Sequence, residues 1–221
     1  MTDRISCINT RSARCSELSL SSPALSVLRA APPSRGRPPA ASRDDVLEAA
    51  LYRYLRGERV DVRALAADLG LGRTTIYRWF GSREGLLGEV LFRAAEPLVD
   101  DARARATGSG AAALLDTFDR INRELAAAPA LRQFLERERD GLRIITSSAG
   151  SVQPRMVDKI TALIEDEVHA GAFVAPVEPA ILGYAIVRLA EAFLFNDAVH
   201  GIRGDVERLR EIEAVILGVR P

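Results

Sequence analysis

The 221-residue chain has two cysteines, two histidines, one lysine and few aromatic residues, which make up 5% of it. Both cysteines, Cys7 and Cys15, lie near the amino terminus, so we expect no disulfide framework and a reducing compartment. No apolar run approaches the roughly 18 residues needed to span a membrane, and no hydrophobic segment with a cleavage site marks a secretory signal. These absences predict a cytoplasmic protein with no membrane partner.

An excess of one charge is also absent, because 30 basic side chains balance 30 acidic ones. The two parts of the chain nevertheless differ: residues 1–95 carry 15 Arg against 10 acidic residues, and residues 96–221 carry 15 Lys plus Arg against 20. Their formal charges are therefore +5 and −5. A basic amino-terminal part can approach a polyanion that the acidic remainder would repel.

The first 41 residues are expected to form a disordered basic extension. Residues 1–40 contain eight Ser, five Pro and six Arg but only two acidic residues. Within them, Arg35-Gly36-Arg37-Pro38 resembles the core of an AT-hook, which lays arginines along a narrow DNA minor groove. The alternative is a flexible basic arm that contacts only phosphates. Either interpretation would assist DNA binding.

Apolar residues recur at helical spacing through the rest of the chain, and with 48% hydrophobic residues this pattern predicts an all-α fold. Four helices are predicted first, beginning after the candidate N-caps Ser42 and Asp61, at Arg73 and at Arg83. The fourth is expected to reach about Ala106 and to bend at Pro97. Further helices are predicted around Leu114–Leu125 and over about 129–140, 157–168, 178–199 and 205–218, with a polar loop at 146–151.

The second and third helices, joined by a short glycine-containing turn, form a helix-turn-helix pattern, whose second helix enters the major groove of DNA. Small and apolar residues could lock these helices together: Leu65, Ala66, Leu69, Leu71 and Ile76. The outward positions of the third helix carry Arg73, Thr74, Thr75, Tyr77 and Arg78. Arginine can donate two bonds to guanine, threonine contacts phosphate or thymine, and tyrosine reaches phosphate. The pattern therefore predicts a DNA-binding surface.

The stretch VDVRALAADLGLGRTTIYRWFGSREGLLGEV closely resembles the DNA-binding domain of TetR-type transcription regulators, over about residues 43–95. The resemblance implies a helix-turn-helix domain at 42–88. It implies base-edge contacts from Arg63, Arg73, Thr74 and Arg78, and phosphate or mixed contacts from Thr75, Tyr77, Trp79 and Arg83. The alternative is a chance helix-turn-helix or an unrelated helical hairpin, in which the aromatic residues of this stretch are merely core residues. Gly72 stands where a Ser-like N-cap is usual, and Val62 stands where Thr is common, so one phosphate contact is expected to be missing.

Three later segments, ITSSAGSVQPRMV, VRLAEAFLFND and DVERLREIEAVI, resemble the QsdR-type branch of these regulators. That branch is connected with lactone-type signals, which points to a class of ligand. The resemblance implies that residues 89–221 form a helical effector-binding and dimerisation domain, with two helices of each subunit in a four-helix bundle. The apolar residues Leu209, Ile212, Ile216 and Val219 are expected to complete the dimer surface.

Residues 182–195 carry one apolar helical stripe and one mixed stripe, as expected for a mostly apolar ligand cavity with a few polar groups. The alternative is that Arg188 and Glu191 form an i, i+3 ion pair at the subunit interface or on the surface. The candidate ligand-binding residues are Phe118, Ile121, Phe134, Met156, Ile160, Tyr184, Arg188 and Glu191. A simple core role is the alternative for each.

Catalysis has little support in the sequence. Glu165 and His169 lie one helical turn apart, but a solvated helix face is favoured over a metal site because no second His or Cys joins them. We expect no enzymatic activity, cofactor or metal. The predicted function is a ligand-responsive homodimeric repressor that binds a palindromic operator in double-stranded DNA and is released by a small molecule. The alternatives are a ligand-independent architectural DNA binder that uses the 35–38 arm, and a helical metal-dependent enzyme with a vestigial DNA-binding domain.

Overall fold

The computed structural model describes residues 41–195 and 205–219, which form ten α-helices and no strand. The all-α prediction is confirmed. The proposed AT-hook at Arg35–Pro38 lies outside the described residues. In chain order the helices are α1 Arg43–Leu55, α2 Val62–Asp68, α3 Arg73–Phe80, α4 Arg83–Arg105, α5 Gly110–Ala127, α6 Pro129–Arg137, α7 Gly141–Thr146, α8 Gln153–His169, α9 Pro179–Leu194 and α10 Val206–Ile216.

Local capping explains where the first two helices begin. The Ser42 hydroxyl accepts from the Asp45 N–H at 3.2 Å, and the Asp45 carboxylate accepts from the Ser42 N–H at 2.6 Å, forming a capping box. Asp61 Oδ1 accepts from the backbone N–H groups of Arg63 and Ala64, at 2.7 Å and 3.0 Å. Both N-caps were predicted from the sequence, because each satisfies donors that a helix start leaves without partners.

The helices after α5 depart from the predicted pattern. The helix expected to reach about Asp140 ends at Arg137, and a further short helix, α7, follows. Glu138 leaves the helix with an extended backbone, φ −99° and ψ 109°, and its carboxylate binds Arg83 of α4. The Gly141 N–H then donates to the Glu138 carbonyl at 2.9 Å and opens α7. A long-range ion pair therefore accompanies a break that local periodicity did not predict. α9 ends at Leu194, earlier than expected, and Val199 lies outside the described residues.

Two apolar cores hold these helices. The first contains the inward faces of α1, α2, α3 and the start of α4, together with side chains from α6 and α7. The second contains the end of α4 with α5, α8, α9 and α10. The first core extends beyond residues 42–88, because Phe134 of α6 packs edge-on against Tyr54 of α1 with ring centroids 6.1 Å apart. α1, which packs on α2 and α3, is thus packed directly against α6.

The second core depends on close approach between α8 and α9. A Cβ added to Gly183 of α9 would lie 2.3 Å from Thr161 Oγ1 of α8, so only glycine permits this spacing. Glu167 of α8 is also buried, and it accepts from the Gly110 N–H at 2.6 Å and from Arg103. Burial alone would raise its pKa, but these donors more than offset that effect and hold the pKa of Glu167 below its usual value. Glu167 therefore ties the end of α8 to the end of α4 and to the start of α5.

Candidate DNA-contacting surface and effector cavity

The turn between α2 and α3 has the backbone geometry that a helix-turn-helix needs. Gly70 adopts φ +64°, a conformation that side-chain-bearing residues rarely adopt. The Leu71 N–H donates to the Ala66 carbonyl at 2.8 Å, which closes the turn. Ile76 is buried on the inner face of α3, beside Leu65 of α2 in the first core. These contacts fix the orientation of α3, whose opposite face is left free to meet another molecule.

That opposite face carries the predicted DNA-contacting side chains. Arg73, Thr74, Tyr77 and Arg78 are exposed on α3, and Arg63 is exposed at the start of α2. Neither Arg73 nor Arg78 pairs with a carboxylate within the part of the chain that the structure describes. A guanidinium without a carboxylate partner keeps its donors available for guanine or phosphate. The structure therefore places four of the predicted residues on one face of α3, and it leaves Arg63 exposed on α2.

Two predicted contact residues, Thr75 and Trp79, lie between the exposed face and the core. Both are half-buried, and Trp79 packs against the first core, which is the core role that the alternative interpretation expected for the aromatics. Gly72 is the N-cap of α3 and supplies no side-chain cap, as the departure from the family pattern indicated. The start of α3 is therefore held by the turn rather than by a capping hydroxyl.

Arg83 differs from the arginines of α3 because its guanidinium is already bound. Its Nη1 and Nη2 donate to the two carboxylate oxygens of Glu138 at 2.9 Å and 2.6 Å, and Nη2 also donates to the Val60 carbonyl at 3.2 Å. The Arg83 guanidinium holds the pKa of Glu138 below its usual value, against the opposing effect of burial. Arg83 therefore joins the start of α4 to the α1–α2 connection and to the end of α6. Its predicted phosphate contact stays a prediction.

A cavity of about 360 Å³ lies among α1, α4, α5, α6, α7, α8 and α9. Its wall is formed almost wholly by apolar side chains: Leu55, Leu91, Ala94, Ala95, Leu98, Ile121, Leu125, Ala128, Pro129, Ala130, Leu131, Ile145, Val152, Met156, Ile160, Val187 and Phe195, with Tyr54, Gln153 and Glu191. The volume lies in the range of about 300–1,000 Å³ that is common for small-molecule sites. Its dimensions and polarity suit an apolar ligand.

Of the eight residues predicted to bind ligand, Ile121, Met156, Ile160 and Glu191 line this cavity. The other four do not. Phe118 is buried in the second core, and Phe134 packs on Tyr54 in the first core. Tyr184 is 50% exposed on the outer face of α9. Arg188 is also exposed and forms the i, i+3 ion pair of the alternative interpretation, with its Nη1 2.8 Å from Glu191 Oε2.

Several wall residues escaped prediction because they come from distant segments. Tyr54 and Leu55 belong to α1, and Leu91 belongs to the part of α4 that follows the helix-turn-helix. Gln153 opens α8 just after the polar loop, where a glutamine normally faces solvent. Nothing in the local pattern marks these residues as cavity residues. Among the polar wall residues, only Glu191 was predicted, because the helical phase of α9 put it on the mixed stripe.

An apolar surface lies on the outer side of α9 and α10. Val174, Val177 and Ile181 are exposed before and within the first turn of α9, and Ile212 and Val215 are exposed on α10. Val174 reaches 90% exposure. Of the residues predicted for the dimer surface, Leu209 is instead fully buried in the chain, and Ile216 and Val219 pack partly against the second core. A surface of exposed apolar residues of this kind is typical of a protein–protein interface.

Glu165 and His169 are both exposed on α8. Within residues 41–195 and 205–219, no group of three or more His, Cys, Asp or Glu side chains is placed to hold a metal ion. No helix in the same described ranges is long and apolar enough to cross a membrane.

The chain is similar to known proteins in both sequence and structure. Residues 109–218 match the family model described as the tetracyclin repressor-like, C-terminal domain. The structure of the transcriptional repressor QsdR from R. erythropolis, of the TetR family, is similar with a TM-score of 0.75 and 30% sequence identity, covering 81% of this chain and 95% of that one. The chain is also 29% identical over 176 residues to the HTH-type transcriptional regulator AlkX of Mycobacterium tuberculosis, covering 76% of this chain and 82% of the relative.

A more distant structure, the TetR family repressor AlkX from Dietzia sp. strain DQ12-45-1b, shares the fold with a TM-score of 0.55 and 21% identity, covering 81% of this chain and 97% of that one. The chain belongs to the TetR family of transcription regulators. It is a DNA-binding transcription regulator that responds to a ligand, as the sequence predicted.

Proposed function

We propose that the protein is a homodimeric repressor that binds a palindromic operator through α3 and leaves it when a small molecule fills the cavity. One observation carries this proposal: the cavity wall includes Tyr54 and Leu55 of α1 as well as α4. α1 packs directly against α2 and α3. An occupant would therefore touch the helix that supports the DNA-contacting surface, and it could favour one orientation of α3 over another.

On DNA, the unpaired arginines of α3 read bases while its hydroxyls hold the backbone. Arg73 and Arg78 have the reach and donor geometry for guanine, with Thr74 beside them, and Arg63 approaches from α2. Thr75, Tyr77 and Trp79 contact phosphate or sugar. In a symmetric dimer, two such surfaces read half-sites about one helical turn of DNA apart. The palindromic operator follows from that symmetry.

The link from cavity to DNA runs through the ends of α4 and α6. Pro129, Ala130 and Leu131 at the start of α6 line the cavity, and Glu138 at its other end holds Arg83. Arg83 in turn holds the Val60 carbonyl just before α2. A ligand that displaces α6 would thus pull on both α4 and the entry to the helix-turn-helix. The proposed release is a change in separation of the two recognition helices.

The second copy packs on the outer surface of α9 and α10. Exposed Ile181, Tyr184 and Val215 would lose water contact there, which favours association. Replacing Ile181 and Val215 by glutamate should convert a dimer to a monomer and abolish tight operator binding, as measured by light scattering and band shifts. Glutamate at the exposed Ala162 of α8 and at the exposed Ala170 just after α8 is the matched control. Monomeric wild-type protein at working concentration would contradict this part of the proposal.

The effector is proposed to be a small apolar molecule, and lactones are the first class to screen. Operator sites are first selected from random DNA with the purified full chain. Band shifts on the selected site then measure release by alkyl lactones and other small apolar molecules. Leu98→Trp, which fills the cavity from the α4 side, should block release while binding to the operator persists. Selection that enriches no sequence, or release that is unaffected by filling the cavity, would refute the proposal.

A further inference from the structure

The cavity wall contains a pair of polar groups whose bonding is incomplete. Of its twenty lining residues only Tyr54, Gln153 and Glu191 have polar side-chain groups. Gln153 is 2% exposed and Glu191 is 6% exposed, so solvent water solvates neither side chain fully. Buried polar groups are costly without partners, so those in a cavity wall indicate what an occupant must carry.

Gln153 supplies an unused donor. Its Nε2 is buried and has no hydrogen-bond partner within the described part of the chain. The side chain lies near enough to Glu191 to act on that carboxyl, yet it makes no hydrogen bond of normal geometry with it. Because an amide N–H can be satisfied only by an acceptor, a ligand oxygen at this position would supply the partner that the described residues do not.

Glu191 supplies an unused acceptor beside that donor. Its Oε2 accepts from Arg188 Nη1 at 2.8 Å, and the same nitrogen donates to the Thr146 carbonyl at 3.0 Å. No described residue donates a hydrogen bond of normal geometry to Oε1, although the Gln153 amide lies close to the carboxylate. Burial raises the pKa of Glu191, although Arg188 and Gln153 act in the opposite direction. One carboxylate oxygen is thus fixed from outside the cavity and the other remains for an occupant.

The charge of the pair limits the ligand further. Arg188 already balances Glu191, so a cationic ligand would bring an unbalanced charge into an apolar cavity, and an anionic one would meet the carboxylate. A neutral head group is left. A lactone carries acceptors alone and could satisfy Gln153, but it would leave Glu191 Oε1 without a donor.

We propose that Gln153 and Glu191 select an uncharged head group with an N–H donor directly beside a carbonyl acceptor, as in a lactam ring, attached to an apolar tail. The carbonyl accepts from Gln153 Nε2, and the N–H donates to Glu191 Oε1. The tail lies against apolar side chains such as Leu98, Ile121 and Met156. This inference rests on the proposed function only in taking the cavity as the effector site.

The test compares two molecules that differ in one group: a γ-lactone and the γ-lactam with the same hexyl tail. Titration calorimetry on the full chain should show the lactam binding about tenfold more tightly, since it makes one more buried hydrogen bond. Glu191→Met should remove this preference by weakening the lactam alone. Gln153→Met should weaken both molecules about equally, because both have the carbonyl.

Two matched variants guard against a general effect on the cavity. Met156→Leu changes the apolar wall at nearly constant volume, and Tyr54→Phe removes the remaining wall hydroxyl; both should keep the lactam preference. Equal affinities in the wild type, no binding of either molecule at millimolar concentration, or a preference abolished by Tyr54→Phe rather than Glu191→Met would overturn the inference.

Operator release is measured separately in band shifts with the same two molecules. A lactam preference without release would contradict the proposed repressor mechanism and leave the head-group assignment intact. Release by other apolar molecules, together with equal affinities for lactone and lactam, would contradict the head-group assignment alone.

Discussion

Arginine is used differently on α3 and in the helices around the cavity. Arg73 and Arg78 are exposed and pair with no carboxylate in the described residues. In the helices around the cavity, four arginines pair with carboxylates: Arg103 with Glu167, Arg120 with Asp116, Arg123 with Asp119, and Arg188 with Glu191. A paired guanidinium holds a carboxylate on another helix, as Arg103 does with Glu167, or on its own helix, as Arg120 does with Asp116. An unpaired guanidinium can exchange water for a base or a phosphate. The same residue type thus serves architecture in one region and recognition in the other.

The largest test of this comparison removes both unpaired arginines. Replacing Arg73 and Arg78 by alanine should lower affinity for the selected operator by about 100-fold or more, since each good bidentate base contact contributes about 1–3 kcal/mol. Affinity for a scrambled site should fall less. Arg120→Ala, which removes a paired arginine of α5, is the control and should change neither. Band shifts on both DNAs measure the difference, and equal losses from all variants would break the distinction between the two regions.

Glu213 differs from these four carboxylates, because no described Arg or Lys pairs with it. It is completely buried on α10 and accepts from Asn122 Nδ2 of α5 at 3.0 Å. Burial raises the pKa of Glu213 from 4.5 to about 7; the Asn122 bond opposes this shift and the nearby Asp119 carboxylate adds to it. The folded protein therefore holds a proton that the unfolded chain releases between these two pH values.

The contribution of Glu213 to the free energy of unfolding therefore falls as pH rises from 4.5 to about 7. Glu213→Gln should flatten this slope and raise the free energy of unfolding at pH 8 by about 1–3 kcal/mol. Urea denaturation at several pH values provides the measurement, with Glu211→Gln on the exposed face of α10 as the control. A slope unchanged by Glu213→Gln would show that another group titrates.

Arg83 combines the two uses of arginine, because it is paired with Glu138 and is also a predicted phosphate contact. Variants of each partner separate these two roles. Arg83→Ala should weaken binding to operator and scrambled DNA alike, as expected for a phosphate contact. Glu138→Gln leaves Arg83 in place, so it should preserve DNA binding but reduce effector-driven release by about fivefold, within the usual range of coupling between sites. If Glu138→Gln instead abolishes DNA binding, the pair serves the helix-turn-helix alone. Arg143→Ala, which removes the more exposed pair with Glu84, is the matched control.

The smallest effect is expected at the start of α3. Gly72 has φ −77°, and an added Cβ would meet only Thr75 Oγ1 at 3.9 Å, so serine fits there without strain. Gly72→Ser should raise the free energy of unfolding by a few tenths of a kcal/mol by capping the recognition helix. Thermal unfolding measures this change, and Gly72→Ala, which cannot cap, is the control. A serine variant no more stable than the alanine variant would rule out a capping contribution.

The local signals in the sequence were sufficient for the helix-turn-helix. Capping side chains at Ser42 and Asp61 act on donors two or three residues away, and the glycine of the α2–α3 turn needs no distant partner. The break after Arg137 was not predicted, because it coincides with an ion pair between residues 55 positions apart. Half of the expected ligand residues do not line the cavity. Helical periodicity identifies the buried face of a helix, but it does not tell whether that face meets the core or a cavity.

The sequence by itself determined the all-α class, the positions of α1 to α3 and four of the five side chains predicted to be exposed on α3, since these depend on short-range hydrogen bonds and helical phase. Only the tertiary structure decided that Arg83 is bound to Glu138, that Tyr54 of α1 lines a cavity, and that Gln153 and Glu191 lie side by side within it. These arrangements depend on how seven helices pack around one space. Packing joins segments far apart in the chain, and no local pattern encodes their distances.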